Sequence, residues 1–115
     1  MQQGIPVPFF EHIDAARAAA AHHGAIVRAP ESWLADHGVG EWSGPRSMPL
    51  WLADRSWYGM NARSNERALA AGLALRPLAD TLAATLHWEI ARADTGPHGA
   101  GLTDSDEREL LAALA

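Results

Sequence analysis

The stretch 38–63 sets the first limit on this chain. It holds Gly38, Gly40, Gly44, Pro45, Pro49 and Gly59, with Trp42, Trp51, Trp57 and Tyr58 between them. Turn formers at that density interrupt any long helix or continuous strand. Large aromatics among them argue for an ordered loop with one or two short extended pieces, because a disordered linker does not carry three Trp. Regular structure is left to short blocks on either side. The 115 residues make one domain, or a piece of one, with a thin core.

The block 8–37 reads as helix–strand–helix. Pro8 suits the first turn of a helix over 9–22. Phe9, Ile13 and Ala16 share a face, with Ala20 one turn on, and Gly24 is the expected stop. Residues 25–28, Ala-Ile-Val-Arg, read as a short strand between Gly24 and Pro30. Residues 30–37 read as a short helix ended by Gly38.

The block 64–92 repeats that order. Ser64 is the expected N-cap of a helix over 65–71, with Gly72 closing it. Residues 73–76 read as a strand, and Pro77 opens the clearest helix. Leu78, Leu82, Leu86 and Ile90 fall at i, i+4, i+8 and i+12, a helical stripe that Trp88 breaks. Residues 94–101 read as a loop. Thr103 and Asp106 then form a capping box, with Asp in place of Glu, at the start of a terminal helix within 102–115 that carries Leu110 and Leu111.

Composition removes whole classes of chemistry. All nine basic residues other than His are Arg, so no P-loop Lys, Schiff-base Lys or Tyr-x-x-x-Lys pair can be built. With no Cys there is no disulfide, thiolate nucleophile or cysteine metal site, which suits a cytoplasmic protein. The net charge of −5 and the singly scattered Arg argue against a nucleic-acid partner. No apolar run approaches the length of a membrane span.

Site motifs are sparse. His12 and His23 lie about three helical turns apart, too far to share an ion, and His87 and His98 are isolated, so no metal site is expected. His22 and His23 are expected at the helix C-terminus. Asp104, Asp106, Glu107 and Glu109 read as a solvated, dipole-matched first turn. There is no Gly-x-Ser-x-Gly elbow, and Gly38-Val39-Gly40 follows a helix and reads as a turn. Five of the eight aromatics are Trp. The plain reading of Trp33, Trp42 and Trp51 is core filling; the alternative is a pocket or an interface.

The run 61–88, Asn-Ala-Arg-Ser-Asn-Glu-Arg-Ala-Leu-Ala-Ala-Gly-Leu-Ala-Leu-Arg-Pro-Leu-Ala-Asp-Thr-Leu-Ala-Ala-Thr-Leu-His-Trp, resembles the C-terminal segment of the NAD-dependent epimerase/dehydratase family, the extended short-chain dehydrogenases. That family has a short Asp-x-Ser-Lys-Ala-x-x-x-Leu-Gly helix, an x-Pro strand end, and an amphipathic helix closing in Thr-x-x-Trp. Ala68, Gly72, Pro77, Leu82, Thr85 and Trp88 match. The family's Asp and Lys have only Ser64 and Asn65, and Arg67, near their places. Residues 31–39, 48–52 and 101–111 resemble further substrate-domain segments of a reductase-like branch, so the likeness covers nearly the whole chain.

The resemblance implies an α+β fold: a mostly helical small domain with two or three short strands, residues 1–115 forming a single C-terminal substrate-binding-type domain. It implies the substrate-binding lobe of an NAD(P)-dependent epimerase/dehydratase or reductase. The family's Gly-x-x-Gly-x-x-Gly Rossmann domain and its Tyr/Lys pair have no counterpart here. The only Tyr is Tyr58, and Ala62 stands four residues on. Alone, the chain is then expected to be non-catalytic and without cofactor, with NAD or NADP belonging to the parent family. Candidate substrate-binding residues are Trp51, Trp57, Tyr58 and Arg63, the Arg facing a phosphate or carboxylate or serving simply as a surface residue. The implied partners are a Rossmann domain in cis or in trans and a small-molecule substrate. The alternatives are a stand-alone interaction or self-association module, or a truncated fragment with no role of its own.

Overall fold

A computed structural model describes residues 8–92 and 98–115. In chain order the elements are α1 (Phe9–Ala19), α2 (Glu31–Asp36), β1 (Gly40–Glu41), β2 (Ser47–Met48), a 3-10 helix (Arg55–Asn61), α3 (Glu66–Ala70), α4 (Leu78–Ala91) and α5 (Asp104–Leu114). About half of the chain is helical, with two short strands, an α+β content. The expected loop 94–101 falls partly on residues outside those described.

Three helices end the same way. After α2, the Gly38 N–H donates to Ala35 O and the Val39 N–H to Leu34 O; after α3, the Gly72 N–H donates to Leu69 O and the Leu73 N–H to Ala68 O. Gly38 and Gly72 sit at φ +70° and +103°, so each pair of bonds is a Schellman closure around a left-handed glycine. After α1 the same two bonds form, from Ala21 to Ala18 and from His22 to Arg17, but the left-handed residue is Ala21, at φ +50°. The helix therefore stops before the expected Gly24. Beyond it, Arg17 donates from Nε to His22 Nδ1 and from Nη2 to the Gly24 carbonyl.

Two expected strands do not form. Residues 25–28 and 73–76 are without regular structure, and Ile26, Val27, Leu73 and Leu75 are exposed. A strand needs a neighbouring strand for its peptide groups, and among the described residues neither segment takes part in a β-ladder. The strands lie instead inside the Gly/Pro-rich stretch. β1 and β2 pair in parallel, with Gly40 opposite Ser47 and Glu41 opposite Met48. Parallel neighbours usually need a crossover of a dozen or so residues. Here residues 42–46 suffice, because Trp42, Gly44 and Arg46 all adopt positive φ, at +65°, +87° and +50°.

The chain groups into two compact units, each drawn from separate segments. Unit 1 comprises Met1–Gly24 and Tyr58–Asp94; unit 2 comprises Ala25–Trp57 and Thr95–Ala115. In unit 1, α1 packs on α4. Ile13 and Ala16 of the one helix, and Leu78, Leu82 and Leu86 of the other, are half-buried, as the stripe predicts. Ile90, the next position of that stripe, is 67 % exposed, and Trp88 is 60 % exposed. With 11 residues against 14, α1 is too short to cover all of α4.

Unit 2 has a small core. Leu34, Val39 and Leu110 are buried, with Ala29, Trp33, Met48, Trp51 and Leu102 packed around them. α5 begins with the expected box: Thr103 Oγ1 accepts from the Asp106 N–H, and Asp106 Oδ2 accepts from the Thr103 N–H.

Candidate functional site

The most heavily bonded point of unit 2 lies in the β1–β2 connection. Ser47 is fully buried. Its hydroxyl donates to the Gly44 carbonyl at 2.6 Å and accepts from the Gly101 N–H at 3.0 Å. The Ser47 N–H in turn donates to the Gly101 carbonyl. This exchange pins the segment before α5 to the connection, and it leaves the hydroxyl with no free proton for chemistry.

Beside it, Arg46 uses every N–H of its guanidinium. Nε and Nη2 donate to the His37 carbonyl, at 3.2 and 3.0 Å. Nη1 donates to Asp106 Oδ1 at 3.0 Å and to Glu109 Oε2 at 3.3 Å, while Nη2 also reaches Glu109 Oε1 at 3.1 Å. The Glu109 contact is the forked pairing that Lys cannot make. Arg46 thus caps the end of α2 and grips the first turns of α5 at once. Glu109 and then Asp106 raise the Arg46 pKa against a partial desolvation. The Asp106 carboxyl is held below its usual range, by the Thr103 backbone and side-chain bonds first and by Arg46 after them.

His37 closes the group. Its ring stacks on Trp33 with centroids 3.8 Å apart, and Nδ1 lies 2.8 Å from the Trp33 carbonyl. A carbonyl only accepts, so Nδ1 carries the proton. Nothing in this arrangement pairs a nucleophile with a base; it is a brace of charge-assisted hydrogen bonds. Among the described residues no three His, Asp or Glu converge on a point that would hold a metal ion.

The residues singled out from the sequence are placed differently from one another. Trp51 is half-buried against the unit 2 core and donates its indole N–H to Glu31 at 3.3 Å, so its polar end is satisfied. Trp57 and Tyr58 lie in the 3-10 helix, each more than half exposed. Asp54 precedes that helix and its side chain accepts the Ser56 N–H; the Ser56 bonds lower the Asp54 pKa. Arg63 is exposed in the segment before α3. Trp57 belongs to unit 2 and Tyr58 to unit 1.

Arg46, Asp106 and Glu109 were not visible as a group beforehand. The acidic cluster at the start of α5 was expected to be solvated, and Asp104, Glu107 and Glu109 are exposed while Asp106 is half-buried. Asp106 and Glu109, three residues apart and so on one helix face, are instead committed to Arg46. The one signal in the sequence was an Arg seated between Pro45 and Ser47 in a turn.

No protein-family model, curated protein or solved structure matches this chain.

Proposed function

We propose that this chain is the substrate-binding lobe of an NAD(P)-dependent epimerase/dehydratase or reductase. It works in the cytoplasm beside a Rossmann cofactor domain, supplied in cis or in trans, and is not catalytic alone. The reading rests on the resemblance of residues 61–88. The observation that carries it furthest is the incomplete packing of unit 1. No residue of α1, α3 or α4 is buried, and Phe9, Phe10, Tyr58, Trp88 and Ile90 are each more than half exposed. Apolar side chains left open on that scale mark a surface that another body covers.

In this reading Trp57 and Tyr58 offer aromatic faces to a small-molecule substrate, and Arg63 offers a guanidinium to its carboxylate or phosphate. Trp51 is the third candidate aromatic contact in this reading. The described residues do not fit a dinucleotide. β1 runs through a turn into β2, and β2 into the 3-10 helix, so no strand leads through a glycine turn into a helix N-terminus that would cradle a pyrophosphate. In this reading the hydride chemistry belongs to the partner domain.

The test is to sequence the DNA upstream of the Met1 codon. A frame encoding a Gly-x-x-Gly-x-x-Gly domain, fused or adjacent, is expected; its absence removes the arrangement in cis, and failure of the chain to co-purify with any separately encoded Rossmann domain then overturns the proposal. Titration with NADH and NADPH, followed by nicotinamide fluorescence, checks the division of labour. The isolated chain is expected to leave the emission unchanged.

A second reading, a self-association module, draws on the exposure of Trp88 and Ile90 on α4. Sedimentation showing a discrete dimer supports it, and a monomer at high concentration counts against it.

A further inference from the structure

The hold of unit 2 on its last helix is unusually dependent on charge. α5 contributes a single buried side chain, Leu110, 6 % exposed; Leu111 next to it is 41 % exposed. Among the described residues, the helix's side-chain hydrogen bonds to the rest of unit 2 are those from Arg46 to Asp106 and Glu109. Asp104, Asp106, Glu107 and Glu109 crowd the N-terminal half of α5, with only Arg108 among them. Without Arg46 that helix faces its own repulsion. Arg46 also sits at φ +50°, a left-handed conformation that costs a non-glycine residue about 1–2 kcal/mol. The side-chain bonds are thus made from a strained backbone position.

We propose that Arg46 is a charge-operated clasp for the C-terminal helix. α5 stays docked over Leu34 and Val39 while Asp106 and Glu109 are ionised, and it undocks when those carboxylates are protonated or screened by salt, uncovering an apolar surface. The groups facing the clasp are Asp106 and Glu109 from α5, the His37 carbonyl from the end of α2, and Arg46 itself from the β1–β2 connection. His37 turns its ring to Trp33 and meets Arg46 through its backbone, so its titration is not the trigger. Pairs as open as Arg46 with Glu109, whose side chain is 67 % accessible, are the kind that salt weakens. The clasp rests on unit 2 alone and does not depend on the role proposed above.

Amide hydrogen exchange of the full chain tests it, with protection read separately for α2 and α5 after correction for intrinsic rates. At neutral pH and low salt both helices are expected to be protected. Acidification to the carboxylate range, or molar NaCl, is expected to lower protection in α5 about tenfold while α2 keeps its own. Glu109→Gln is expected to open α5 already at neutral pH and to reduce its response to acid.

Two variants separate the clasp from the backbone. Arg46→Gln and Arg46→Gly both remove the guanidinium, and only the glycine also relieves the strain. The clasp requires α5 to open in both. Greater α5 protection in Arg46→Gly than in the parent overturns it. So does α5 unprotected at neutral pH, loss of α2 and α5 together on acidification, or an α5 indifferent to salt and acid.

Discussion

Units 1 and 2 are built on opposite terms. Unit 1 has the longer helices and the better stripe, yet it buries no helical residue. Unit 2 has short elements and many turns, yet it closes around Leu34, Val39 and Leu110 and seals a serine completely. The difference lies in how many separated segments converge. Two helices meeting along one stripe leave their remaining faces open. In unit 2 the end of α2, the β1–β2 connection, residues 101–102 and α5 all meet, so a short side chain can be enclosed from several sides. Helix content is therefore a poor guide to where a small chain keeps its core.

Truncation puts the largest strain on that contrast. Leu110→Ala is expected to cost about 2–4 kcal/mol, and Leu82→Ala, half-buried on α4, about 1 kcal/mol. Urea denaturation followed by circular dichroism measures both, and equal losses would erase the distinction between the units. Ser47→Ala comes next, at about 1 kcal/mol, because the Gly101 N–H and the Gly44 carbonyl each lose the hydroxyl and keep only the bond between them.

The helix ends sharpen the comparison further. Ala21→Gly is expected to stabilise unit 1 by about 1 kcal/mol, and Gly38→Ala to destabilise unit 2 by a similar amount. The two changes are opposite in sign because both positions are left-handed and only one carries glycine. Opposite shifts of the thermal midpoint check this.

The response to pH should come from unit 2. The folded Asp106 carboxyl is held below its ordinary range. Its ionised form thus adds stability above the unfolded value, and that contribution is lost as pH falls through the lowered folded value. Asp106→Asn is expected to flatten the acid limb of a melting-temperature profile. Smallest of all, Trp88→Gln should change the stability of the isolated chain by no more than about 0.5 kcal/mol, since Trp88 is 60 % exposed. A larger loss would show that α4 is covered within the chain.

What could be read from the residues was local. Gly38 and Gly72 mark helix ends because a left-handed closure selects glycine, and Thr103 with Asp106 marks a start because both bonds of the box fall within one turn. Pro77 opens α4 for the same kind of reason. What escaped was set by distant segments. Residues 25–28 and 73–76 have the side chains of strands and join no β-ladder among the described residues. Ala21 takes a place where glycine is the expected residue. Arg46 finds its carboxylates some sixty positions along the chain, a pairing no window of sequence reveals. Trp51 was offered as a site residue and also weighed as core filling, and a single chain does not say which side of a wall an indole faces.

The five-residue connection between β1 and β2 has a consequence for length variation. Surface segments rich in Gly and Pro usually accept insertions and deletions. Here the paired residues Gly40 and Ser47 are joined through three left-handed positions, and one added residue would rotate β2 by half its period. Ser47 would turn outward and Met48 inward, and Arg46 would leave the reach of α5. Variation in length should therefore collect after Met48, toward the 3-10 helix, while residues 40–48 stay at constant spacing.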